Sequence, residues 1–113
     1  MRGLIVIAVA FLIWAQASLA PAQRIILDML PTTVEGVVRD IIARLSAEDR
    51  ALVKSTRKQD LIKFHHGWGT HIRNRYGLWQ SSSNLIQEAC GGPCHPDDAS
   101  MLIIQAVWQT LQK

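Results

Sequence analysis

No stretch of this 113-residue chain alternates apolar and polar residues convincingly, no Asn-Gly pair marks a tight hairpin, and no segment repeats. Sheet-built and repeat architectures are thereby set aside. Charge is also scarce, since 19% of the residues are Asp, Glu, Lys or Arg, against roughly 25% in average soluble chains. The apolar share of 49% is ordinary. Disordered, collagenous and coiled-coil chains do not fit this balance. The main apolar run, Gly3 to Ala15, covers 13 residues and falls short of the roughly 20 that cross a bilayer as a helix. No cysteine follows that run closely, which argues against a lipid-anchored lipoprotein. No recognisable catalytic or ligand-binding signature is present, and the sequence alone does not name a biochemical activity.

What is present begins with Met1-Arg2, a short positive start to the apolar run, followed by small residues through Ala20-Pro21-Ala22. This is the pattern of a cleaved export signal. Cleavage is expected after Ala22, because a cut after Ala20 would place Pro21 beside the scissile bond. The expected organisation is a signal peptide over residues 1–22, a linker over 23–31 and a helical domain over 32–113. The product would be periplasmic or secreted, with no stable membrane insertion after cleavage. Its 91 residues carry eleven basic and nine acidic side chains. A net charge of +2 is too small to argue for nucleic acid.

The fold class expected is all-α, a compact bundle of about five helices. Thr32-Thr33-Val34-Glu35 reads as a capping box. Val34, Val37, Val38, Ile41, Ile42 and Leu45 then form one apolar stripe at the helical period. Ser46-Ala47-Glu48-Asp49 starts a short second helix offering Leu52 and Val53 to the core, and the two should form a hairpin. Thr56-Arg57-Lys58-Gln59 repeats the capping logic and opens a stretch without Pro through Tyr76, which predicts a third helix of about 20 residues. Leu61, Phe64, His65, Trp68, Ile72 and Tyr76 fall on one face of it. Gly67 and Gly69 weaken such a helix, so a close helix crossing or a backbone-contacting ligand is expected there. Gly77 suits a left-handed terminator. A fourth, short helix capped by Asn84 with Gln87 runs to Cys90 and ends at Gly91-Gly92-Pro93. Pro96, Asp97 and Asp98 suit the first turn of a last helix, with Ile103, Ile104, Val107, Trp108 and Leu111 as its apolar face.

The ordered strings Gly69, Ile72-Arg73-Asn74, Tyr76-Gly77-Leu78-Trp79, Asn84, His95-Pro96-Asp97-Asp98-Ala99-Ser100 and Trp108 resemble an uncharacterised bacterial domain family, a domain of unknown function. The resemblance covers about residues 32 to 112. It implies a bacterial source and a small helical domain, and it carries over no catalytic residue.

Among local features, Cys90 and Cys94 are expected to form a structural disulfide, since an exported chain can oxidise two nearby cysteines. A redox-active pair is disfavoured by the three-residue spacing and the lack of a thioredoxin-like pattern. A metal reading would draw on His65, His66, His71, Cys90, Cys94 and His95, but their helical spacing is poor for joint ligation. We therefore assign no metal site, cofactor or catalytic residue from the sequence. Adjacent Asp97 and Asp98 do not face each other on a helix, and Ser100 beside them is common helix-start chemistry. The group Arg50, Lys54, Arg57, Lys58 and Lys63 reads as a solvated face.

His71 and Arg75 lie one helical turn apart, while Arg73 projects elsewhere with Gly69 behind it. Arg73 or Arg75 is expected to tie its helix to Asp97 or Asp98. The binding candidates are His71, Arg73, Asn74, Arg75, Trp79, Asp97 and Asp98. The function expected is a non-catalytic binding module whose partner is an envelope or secreted protein. The alternative is a small metal-dependent or hydrolytic enzyme using the neighbourhood of His65, His71 and His95.

Overall fold

The computed structural model describes residues 30–80 and 83–113. The expected signal peptide, most of the expected linker and Ser81-Ser82 lie outside the described residues. The helical unit spans Pro31–Lys113. It contains α1 (Val34–Arg44), α2 (Ala47–Ser55), a continuously wound segment over residues 58–75 that ends in α3 (Thr70–Arg75), then α4 (Asn84–Cys90) and α5 (Pro96–Leu111). The all-α expectation holds. No described helix is long and apolar enough to cross a membrane.

The start of α1 sits one residue later in its capping pattern than the sequence suggests. Thr33 is the N-cap and its Oγ1 accepts from the Gly36 amide at 3.1 Å. The reciprocal Glu35 bond of a capping box is replaced by long-range contacts: Glu88 takes the Val34 amide at 2.9 Å and Asn84 Nδ2 donates to the Thr32 carbonyl at 3.0 Å. Glu35 instead faces Arg39 in an exposed pair that contributes little. Val37, Val38 and Ile41 are buried as the stripe predicts. In α2, Ser46 caps through Asp49 and Val53 is buried, whereas Leu52 is 50% exposed. The expected pair of core residues is thus one, because neighbours on a helix point about 100° apart.

The third helix differs from the uniform α-helix that its periodicity predicts. Lys58–Phe64 is a 3-10 helix, His65–Gly69 a π turn, and only Thr70–Arg75 is α. Thr56 does not cap it: its hydroxyl donates back to the Leu52 carbonyl at 2.7 Å and closes α2, leaving Arg57 to start the segment. The Arg57–Asp60 pair at 2.8 Å suits three residues per turn. Tight winding followed by wide winding keeps the average period near that of an α-helix, so the expected face largely survives. Leu61, Ile72 and Tyr76 are buried, and Phe64, His65 and Trp68 are half-buried. Phe64 and Trp68 meet edge to face at 5.6 Å.

Gly77 and Gly91 take φ of +67° and +70°, terminating the winding before each loop, as L side chains seldom do. Asn84 is the first residue of α4, after Ser83, and does not cap it because its amide is occupied by Thr32. Leu85 and Ile86 are buried. Cys90 and Cys94 bring their sulfurs to disulfide-bonding distance, with Cα atoms 6.2 Å apart, closing the loop into α5.

The last helix is the axis of the domain and touches every other element. Ala99, Ser100, Ile103, Ile104 and Val107 are fully enclosed. Each large apolar side chain among them contributes roughly 1.5–3 kcal/mol by leaving water. Trp108 is half-buried, and its indole N–H donates to the Thr56 carbonyl at 2.7 Å. Gln112 adds a bond to the Lys54 carbonyl at 3.0 Å.

Candidate functional site

Arg73 is placed by α3 against the first turns of α5 and is only 5% exposed. Its Nη1 donates to Ser100 Oγ at 2.9 Å, and its Nη2 donates to Thr70 Oγ1 at 2.8 Å and the His65 carbonyl at 3.3 Å. Its Nε lies 3.4 Å from Asp97 Oδ1. Of the pairings expected for Arg73 and Arg75, this ties Arg73 to Asp97. Gly69 makes the geometry available, because a Cβ there would stand 3.0 Å from Nη1 and 3.6 Å from Ser100 Oγ. Gly69 thus bears out the expected close crossing, whereas nothing lies within 4 Å of a Cβ at Gly67. The buried Ser100 hydroxyl donates to the Asp97 carbonyl at 2.9 Å, so it is held inside the fold and not presented as a nucleophile.

Asp97 is the junction of this cluster. Its Oδ2 lies 3.8 Å from His65 Nε2 and 3.7 Å from His95 Nδ1. His95 also caps α5, its Nδ1 accepting from the Asp97 amide at 3.1 Å. The sequence suggested His95 as a metal ligand or as part of a hydrolytic centre, not as a cap; its position immediately before Pro96 at a helix start was the available signal for one. His65 and His95 converge on one carboxylate, but His71 is exposed on another side. Among the described residues no group of three or more His, Cys, Asp or Glu is arranged to hold a metal ion.

Asn74 and Trp79 extend the cluster to the surface. The Trp79 indole N–H donates to Asn74 Oδ1 at 3.0 Å, and its ring meets His95 edge to face at 6.0 Å. Trp79 nevertheless remains 55% exposed. It borders a groove of about 320 Å³ lined also by Leu78, Ile86, Pro93, Cys94 and His95. Asp98 is exposed on the first turn of α5.

Arg75 belongs to a second cluster built around Asp40, a residue the sequence did not single out. Asp40 accepts from the Tyr76 hydroxyl at 2.5 Å and from Arg44 Nε at 3.2 Å, while Arg75 Nε lies 3.6 Å away. Burial opposes ionisation of Asp40, but the Tyr76 and Arg44 hydrogen bonds and both guanidinium charges outweigh it and hold the carboxyl below its ordinary value. The Tyr76 phenol is pushed up to about 12, first by burial and then by its bond to the Asp40 carboxylate. The Asp40–Arg44 spacing of one helical turn was readable; the link to Tyr76, 36 residues on, was not.

A family model described as a domain of unknown function, DUF6794, matches residues 30–111. The chain belongs to the DUF6794 family. Comparison with curated proteins and with solved structures gives no match. In this DUF6794 domain, six residues from the strings that carried the resemblance, Arg73, Asn74, Trp79, His95, Asp97 and Ser100, form one connected network. His71 and Arg75 stand apart from it.

Proposed function

We propose that this DUF6794 domain is a non-catalytic interaction module of an exported protein, engaging a secreted or cell-envelope protein through the surface around Trp79. The observation that carries this reading is that Trp79 stays 55% exposed while its N–H is held by Asn74 and its ring by His95. An aromatic ring fixed before binding loses little freedom on contact and offers a large area to desolvate. Arg73 and Ser100, which an enzyme would present to substrate, are buried against each other. The hydrolytic or metal-dependent alternative needs His65, His71 and His95 together, and His71 lines a different groove. Export is supported by the leader grammar and by the two cysteines at bonding distance, a pairing that persists in oxidising compartments.

Affinity capture from the native envelope fraction, with wild type and Trp79→Ala side by side and mass spectrometry as the readout, tests this. A protein retained by wild type should fall by about tenfold or more with the variant, at an unchanged melting temperature. Equal retention by both overturns the Trp79 surface as the contact.

A further inference from the structure

A second groove, sharing no lining residue with the one beside Trp79, lies between α1 and the stretch from Trp68 to Tyr76. It encloses about 190 Å³, and Ile41, Trp68, Ile72 and Tyr76 give it an apolar interior. Arg44, His71 and Arg75 complete its lining. Through Leu45 and Trp68 it adjoins a further hollow of about 230 Å³ that includes Phe64 and the half-exposed Leu52.

The charges around this groove do not cancel. Arg44 and Arg75 address the same carboxylate, Asp40, at 3.2 and 3.6 Å. Asp40 is held ionised by its neighbours, so two cations face one anion, and the exposed His71 stands beside them. The Arg75 Nε is buried without a hydrogen-bond partner, while its guanidinium is held 5.6 Å from the Tyr76 ring. That Nε faces Asp40, so what the groove meets is the rest of a guanidinium held beside an aromatic wall, which suits a planar anion on an apolar body. The adjoining hollow has one acid in its lining, Asp49.

We propose that this groove binds the carboxyl-terminal residue of a partner polypeptide, its carboxylate on Arg75 and Arg44 and its apolar side chain against Trp68 and Tyr76. There a carboxylate and an apolar side chain branch from one carbon whose third substituent is a neutral amide. A free amino acid would bring an ammonium toward the guanidiniums. A phosphate dianion would overfill a single excess positive charge and be repelled by Asp40. The adjoining apolar hollow accommodates the residues that precede the terminus, which a small free acid lacks. This site does not depend on the Trp79 surface.

The test is an NMR titration of the purified full chain with N-acetyl-Gly-Leu-Phe and with the same peptide as its carboxyl-terminal amide, following the Trp68 indole N–H and the Ile72 methyl groups. The acid peptide should give saturable shifts there, with the amide weaker by about tenfold or more, the difference a buried charged contact makes. Arg75→Gln should reduce acid-peptide affinity by a similar factor and leave the amide unaffected, while Trp79→Ala changes neither. Equal binding of acid and amide overturns the proposal without any variant having to fold. So do shifts centred on Trp79, phenylpropionate binding as tightly as the peptide, or Trp68 shifts that follow protein concentration alone and mark a second copy in the groove.

Discussion

Arg73 donates to Ser100 at 2.9 Å across 27 residues of sequence, joining α3 to α5 through a guanidinium that is almost wholly out of water. The exposed side of Asp97 gives that charge its counterion and a route to solvent. The arrangement therefore fixes two helices in register more than it adds raw stability, since burying a charge costs about as much as pairing it returns.

Arg73→Ala should lower unfolding free energy by about 2–3 kcal/mol, because Ser100 loses its donor inside the fold and Asp97 loses its ion-pair partner. Arg73→Lys should recover little of this, since one ammonium cannot reproduce the fork that meets Ser100, Thr70 and His65 at once. Urea denaturation with both variants measures the difference. Stability unchanged by Arg73→Ala would return the side chain to an ordinary solvated role.

Trp108→Ala should cost about 2–3 kcal/mol, less than a fully enclosed indole, because the ring is half-buried. Trp108→Phe keeps most of the packing but removes the bond to Thr56, leaving a loss of about 1 kcal/mol. Thermal melts of the two variants separate packing from the hydrogen bond.

Tyr76 is the only tyrosine in the chain, so phenolate absorbance reports it alone. Its midpoint should lie near 12 in the folded protein and near the ordinary value of about 10 in urea. A folded-state value above the unfolded one means that this contribution is complete below the unfolded value and is lost as pH rises through about 12. Tyr76→Phe should flatten that alkaline decline. Asp40 has the opposite sign: held below its ordinary value, it contributes above that value and ceases to as pH falls through the folded one.

Protein taken directly from an oxidising compartment should show a mass two hydrogens below the reduced form, from a Cys90–Cys94 bond. The double variant Cys90→Ser with Cys94→Ser should be destabilised by about 2 kcal/mol, the modest effect of closing so short a loop. Two free thiols in non-reduced intact mass would refute the bond.

The stripe of α1, the Pro96 start of α5 and the reach of Arg73 to Asp97 were legible because each is set by periodicity or by a residue with one preferred place in a helix. Those that escaped depend on partners far along the chain. Thr33 rather than Thr32 caps α1 because Glu88 and Asn84 arrive from α4. Asp40 acquires its role from Tyr76, and Trp79 from Asn74 and His95. The changes of winding between Lys58 and Arg75 were hidden for another reason. A tight stretch followed by a wide one leaves the apolar spacing nearly unchanged.

The bonds that close the domain join Val34 to Glu88, Thr32 to Asn84, Thr56 to Trp108 and Lys54 to Gln112, over separations of 52 to 58 residues. Every earlier helix also rests on α5. During synthesis the first half of the domain therefore lacks its main packing partner until α5 has emerged. Such a chain completes its structure in one late step, once its tail is released.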